Sequence, residues 1–155
     1  MASILALTKS QPVRSLAPGE RLIEEGAAGG DLYVLQAGRL IVSRDGIDIA
    51  TIIDPGALVG EMGVLLATDH SATVRADVQS EVRVIDNAIA FLERTPLVAL
   101  HVATIACERL DRTSALLVEM RKEAGVRPEE LGFIGRLFAA ISEPSKRSGP
   151  VTTHE

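Results

Sequence analysis

The sequence predicts a mainly β fold with flanking α, a β-roll followed by C-terminal helices, and three observations carry that expectation. Turn signals recur at short intervals: Pro18-Gly19, Gly26, Gly29-Gly30, Gly38, Asp45-Gly46 and Pro55-Gly56. Short runs rich in β-branched and other apolar residues lie between and after them, as in a β-meander closing into a roll. Beyond Asp86 the apolar residues recur at helical spacing instead.

Taken in order, the strands are expected over residues 21–24, 32–36, 39–44, 47–53, 71–78 and 81–85. Asp45-Gly46 joins two of these runs and is a strong two-residue hairpin signal. Val82 and Val84 alternate with Arg83, as a half-buried strand requires. Residues 61–65 can form one or two helical turns inserted into the roll. Asn87 can cap a short helix ending at Arg94. Pro96 opens a longer helix reaching Lys122, with Gly125 as its stop. Its apolar stripe reads as Leu97, Leu100, Thr104, Cys107, Leu110, Leu117 and Met120. Pro128 starts a further segment in which Leu131, Ile134, Leu137, Phe138 and Ile141 form one stripe. The expected organisation is an N-terminal extension (1–15), a roll with its helices (16–122), an additional helix (123–142) and a disordered tail (143–155).

Composition narrows the function. A chain of 155 residues with 46% hydrophobic content suits one domain. A net charge of −5 supplies no cationic field for nucleic acid or an anionic membrane. Cys107 is the only cysteine, which excludes an intramolecular disulfide and a Cys-based metal cluster. Residues 1–7 lack a basic start and an adequate apolar run, so no signal peptide is read. No long apolar stretch occurs elsewhere, and a soluble, cytoplasmic protein is expected. The three histidines form no His-x-His pair, so no metal centre is expected, and no nucleophile–base arrangement marks an enzyme. The residues after Lys122 are too few for a DNA-reading domain with its own core, so DNA is not an expected partner.

One constellation points to an anion site. Gly60 permits close backbone approach, and Glu61, Met62, Gly63, Val64 and Leu65 can form a turn of helix whose first N–H groups are free to receive a phosphate. A carboxylate at the start of that turn suits the helix dipole and can accept a hydrogen bond from a sugar hydroxyl. Leu66-Ala67-Thr68-Asp69 and then His70-Ser71-Ala72-Thr73-Val74 follow without a gap.

On these residues the chain resembles the cyclic-nucleotide-binding family, whose phosphate-binding cassette has this order. Pro18-Gly19-Glu20, Glu25-Gly26, residues 31–35 and Gly38 resemble the same family's early strands. The resemblance implies a double-stranded β-helix, a jelly-roll-like roll, and a ligand that is cyclic AMP or, second, cyclic GMP. It implies Glu61 as acceptor of the ribose 2′-hydroxyl, N–H groups of Gly60, Glu61, Met62, Gly63, Ser71 and Ala72 around the cyclic phosphate, and Thr73 near phosphate or base. The family's phosphate-pairing arginine is expected at position 70, where this chain has His70, and Asp69 replaces the proline common before it. Imidazole lacks the permanent charge and fork of guanidinium. That substitution is expected to cost about 1.5–3 kcal/mol, roughly ten- to hundredfold in affinity. Arg75 cannot substitute, because an odd spacing along a strand puts it on the other face from His70.

The expected function is a regulatory module that senses the nucleotide and moves its C-terminal helices, acting on an effector protein of unknown identity. The alternative is a ligand-independent interaction or dimerisation module. A parallel contact through Leu110 and Leu117, flanked by Thr113, Ser114 and Met120, would make a homodimer.

Overall fold

A computed structural model of the chain describes residues 3–124. The expected elements over 125–142 and the expected tail over 143–155 lie outside the described residues. The chain divides into two compact units, residues 1–108 and 109–155, and the site described below belongs to the first.

The order of elements is α1 (Ile4–Leu7), β1 (Val13–Leu16), β2 (Arg21–Ile23), β3 (Leu32–Ala37), β4 (Leu40–Arg44), β5 (Ile47–Ile52), β6 (Leu58–Val59), α2 (Glu61–Leu66), β7 (Thr73–Ala76), β8 (Ser80–Ile85), α3 (Ala88–Arg94) and α4 (Pro96–Ala124). Eight strands make two antiparallel four-stranded sheets, ordered β1-β8-β3-β6 and β2-β7-β4-β5. Six of the eight follow the sequence expectation. The short elements α1, β1 and β6 carry too few residues to show a period.

The sheets enclose one apolar cluster and the helices cover a second. Leu16, Leu22, Ile23, Tyr33, Leu35, Leu40, Val59, Val74, Ala76 and Val82 pack within the roll. Leu32, Val34, Leu58 and Ile85 pack instead with Ile4, Val64, Ala88, Leu92, Val98 and Val102 of the helices. β3 therefore feeds both clusters: Tyr33 and Leu35 enter the roll while Leu32 and Val34 meet the helices. A strand covered on both faces reads as a continuous apolar run, which is why its four residues 32–35 show no alternation. Each wholly buried leucine of this set contributes about 1.5–3 kcal/mol.

Local chemistry explains the turns. Asp45 and Gly46 both have positive φ, 50° and 76°, as the two-residue hairpin between β4 and β5 needs. Asn87 precedes α3 as expected, but by a different means. It adopts the left-handed conformation at φ 48° and makes no side-chain capping bond, a backbone state its short polar side chain tolerates. Arg83 on β8 donates to the carbonyl of Leu5 and, through Nε, to Gln36 Oε1 at 2.9 Å, tying α1 to the first sheet.

The buried face of α4 differs from the expected stripe. Val98 and Val102 are buried, and Ala99 and Ile105 pack beside them. Leu97, Leu100 and Leu110 are exposed, as is Cys107. The first turns are apolar on nearly every side, so a 3.6-residue period fits two phases equally and only the packed partner selects one.

Candidate anion site at the end of the roll

Gly60 precedes α2 with φ 92°, ψ −5°, and a Cβ there would lie 2.8 Å from the carbonyl oxygen of Asp31. Both facts require glycine: the left-handed backbone and the close passage of the chain beside β3. The turn delivers Glu61 to the first position of α2, where it is 4% exposed. Met62 lies beyond it with its side chain exposed at 52%.

α2 ends at Ala67, also left-handed at φ 52°, whose N–H returns to the Gly63 carbonyl. That reversal brings residues 68–70 back along the helix. A Cβ on Gly63 would lie 3.2 Å from His70 Nδ1 and 3.2 Å from the Thr68 carbonyl oxygen. The absence of a side chain at Gly63 thus leaves room for the imidazole against the first turn of α2. Position 70 faces the same short helix that carries Glu61, while Asp69 is exposed.

The His70 backbone is held on both sides. Its N–H donates to Ala27 O at 2.9 Å, and its carbonyl accepts from Gly26 N at 2.8 Å. The half-buried imidazole borders a cleft of about 260 Å³ whose walls include Ile23, Ala27, Ala28 and Tyr33, with Arg21 and Glu24 at the charged part of the lining. Burial, with the nearby Asp31 carboxylate adding to it, pushes the Tyr33 phenol above its ordinary value, so it stays a neutral hydroxyl near neutrality.

Ser71 and Ala72 follow, both half-buried. Thr73 opens β7, where burial alternates: Val74 and Ala76 enter the roll, and Thr73 and Arg75 take the other face. Thr73 Oγ1 accepts from Glu25 N at 3.0 Å. Arg75 forks onto Asp48, NH1 to Oδ1 and NH2 to Oδ2, each at 2.9 Å. The structure therefore brings Gly60, Glu61, Gly63 and His70 together around α2, with Ser71 and Ala72 on the connecting chain. The Thr73 hydroxyl turns to Glu25, and Thr73 and Arg75 line a separate outer cleft.

Sequence reasoning assigned no role to Arg21, Ile23, Glu25, Ala27 or Tyr33. Glu25-Gly26 was visible as part of a resemblance, but the pairing of Gly26 and Ala27 with His70 spans more than forty positions and no local pattern announces it. Among the described residues no cluster of three or more His, Cys, Asp or Glu is arranged to hold a metal ion, and no single helix is long and apolar enough to cross a membrane.

Comparison with known proteins agrees with this geometry. Residues 13–92 match the family model of the cyclic nucleotide-binding domain. The human potassium/sodium hyperpolarization-activated cyclic nucleotide-gated channel 4 is 33% identical over 97 residues, covering 61% of this chain and 8% of the channel. Channel 1 of the same group from Oryctolagus cuniculus is 32% identical over 112 residues, covering 68% of this chain and 13% of the channel. The crystal structure of the Thermus thermophilus catabolite activator protein superposes with a TM-score of 0.65 at 26% identity, covering 76% of this chain and 58% of that one. The chain thus spans only a small part of the channels it matches. With the roll, the α2 turn and the matched segment in agreement, this chain belongs to the cyclic nucleotide-binding domain family.

Proposed function

We propose that this chain is a regulatory module that binds a cyclic nucleotide, cyclic AMP before cyclic GMP, at the α2 end of the roll and passes the binding event to its C-terminal helices. The observation that carries the reading is the meeting of three groups on one six-residue helix: left-handed Gly60 at its start, buried Glu61 in its first position, and the His70 imidazole against Gly63. Backbone N–H groups of Gly60, Met62 and Gly63 offer neutral donors to the cyclic phosphate, as helix N-termini do. Ser71 and Ala72 add donors from the other side. Glu61 accepts from the ribose 2′-hydroxyl. His70 stands where guanidinium would otherwise pair with the phosphate, and its imidazole offers a single donor there.

The helices are suited to report occupancy. Val64 of α2 shares an apolar cluster with Ala88 and Leu92 of α3 and Val98 and Val102 of α4. A ligand that binds one arrangement of α2 better than another shifts α3 and α4 by that difference in affinity. Catalysis has no part in this reading; the effector is a protein, and the chain works in the cytoplasm without contacting DNA or membrane. Isothermal titration with cyclic AMP and cyclic GMP is the direct test. Saturable binding of either supports the reading, and no heat with either at millimolar concentration would sink it.

A further inference from the structure

The outer face of β7 holds a group whose place the nucleotide reading leaves unused. Thr73 Oγ1 accepts a hydrogen bond from the backbone N–H of Glu25. The next two residues, Gly26 and Ala27, make the two backbone bonds that grip His70. On the other side, the Glu25 carboxylate accepts from Asp45 N at 3.0 Å, joining this bracket to the β4–β5 hairpin. Four hydrogen bonds thus converge on residues 25–27, one from the hairpin, one to Thr73 and two with His70. The Glu25 and Asp45 contact is exposed, whereas the Thr73 contact is partly shielded and closes a separation of 48 residues.

We propose that Thr73 is a positioning residue for the phosphate end of the site: its hydroxyl fixes residues 25–27, and they hold the His70 backbone so that the imidazole stays against Gly63. The hydroxyl accepts with one lone pair and needs no contact with the ligand to do this. Valine has the same shape without an acceptor, so Thr73→Val leaves the Glu25 N–H without its partner, whereas Thr73→Ser keeps the oxygen. The inference rests on the nucleotide reading for its ligand, but the bracket itself is made of protein hydrogen bonds alone.

The test pairs amide hydrogen exchange by NMR with titration of cyclic AMP and cyclic GMP, on the full chain and its Thr73→Val, Thr73→Ala and Thr73→Ser variants. Thr73→Val is expected to speed exchange at Glu25, Gly26 and His70 by about tenfold and to weaken nucleotide binding by a similar factor. Core amides such as Leu35 and Val82 should keep their protection, and Thr73→Ser should restore both readouts. Thr73→Ala should reproduce the valine effect. Unchanged exchange at Gly26 and His70 in both variants, or equal acceleration at Leu35 and Val82, overturns the proposal, because the threonine would then be idle or merely stabilising. Wild-type protein that binds neither nucleotide, while Thr73→Val still loosens His70 locally, rejects the ligand and upholds the bracket.

Discussion

At one end of the site, residues 60–63 present backbone. Gly60 is locked left-handed at φ 92° beside the Asp31 carbonyl, and the N–H groups that follow are neutral donors at every pH. At the other end, residues 69–73 present a half-buried imidazole where the family resemblance leads one to expect guanidinium, and an exposed carboxylate precedes it. In the proposed function the first end meets the anion with backbone donors alone. The second offers it an imidazole edge with at most one donor, where guanidinium would fork onto two oxygens. The two ends meet at Gly63, whose missing side chain makes room for the ring against a single short helix.

That division can be broken most severely at the rigid end. Gly60→Ala forces a Cβ to within 2.8 Å of Asp31 O in a conformation L residues rarely adopt. A loss of about 2–4 kcal/mol in unfolding free energy, read by urea denaturation, is expected, with nucleotide binding abolished. Glu61→Ala comes next: about ten- to hundredfold weaker nucleotide binding by calorimetry, because the proposed acceptor for the ribose hydroxyl is gone. An unchanged affinity would place the sugar elsewhere.

The smallest expected effect lies on the outer face. The Arg75 guanidinium holds the Asp48 carboxyl below its ordinary 3.8. A carboxylate depressed in the folded state adds stability above its unfolded value and loses it as pH falls through the folded one. Asp48→Asn should therefore be slightly less stable than the parent near neutrality, with the difference closing as pH falls through the lowered value of the folded carboxyl. The pair is exposed, and its worth is correspondingly small. Nucleotide affinity should not change, because Asp48 lies on the face of the sheet turned away from Val74 and the roll interior. A large change in affinity would show that the two faces are not separable.

Much of the fold was legible from local chemistry. Asp45-Gly46 announced its hairpin because both residues had to accept positive φ, and 21–24, 39–44 and 81–85 announced strands by composition. The helix at 61–65 was legible as a short turn after Gly60, a residue that permits close backbone approach. What escaped was decided at long range. The face of α4 chosen by Val98 and Val102 depends on Leu92 and Ile4, not on the helix's own period. The orientation of Thr73 toward Glu25 depends on strand β7 pairing with β2, which no stretch of either strand encodes alone. His70 was recognisable as a departure from a pattern, but its seat against Gly63 required the reversal at Ala67.

The central claim is that His70 stands in for a permanent cation in a site otherwise built from backbone donors and Glu61. Titration of cyclic AMP into the parent and into His70→Arg by calorimetry, in one buffer, tests it most directly. His70→Arg should bind about ten- to hundredfold more tightly, because guanidinium adds a permanent charge and a second donor. Equal affinity of the two proteins would contradict the account and leave the backbone donors and Glu61 as the whole of the recognition.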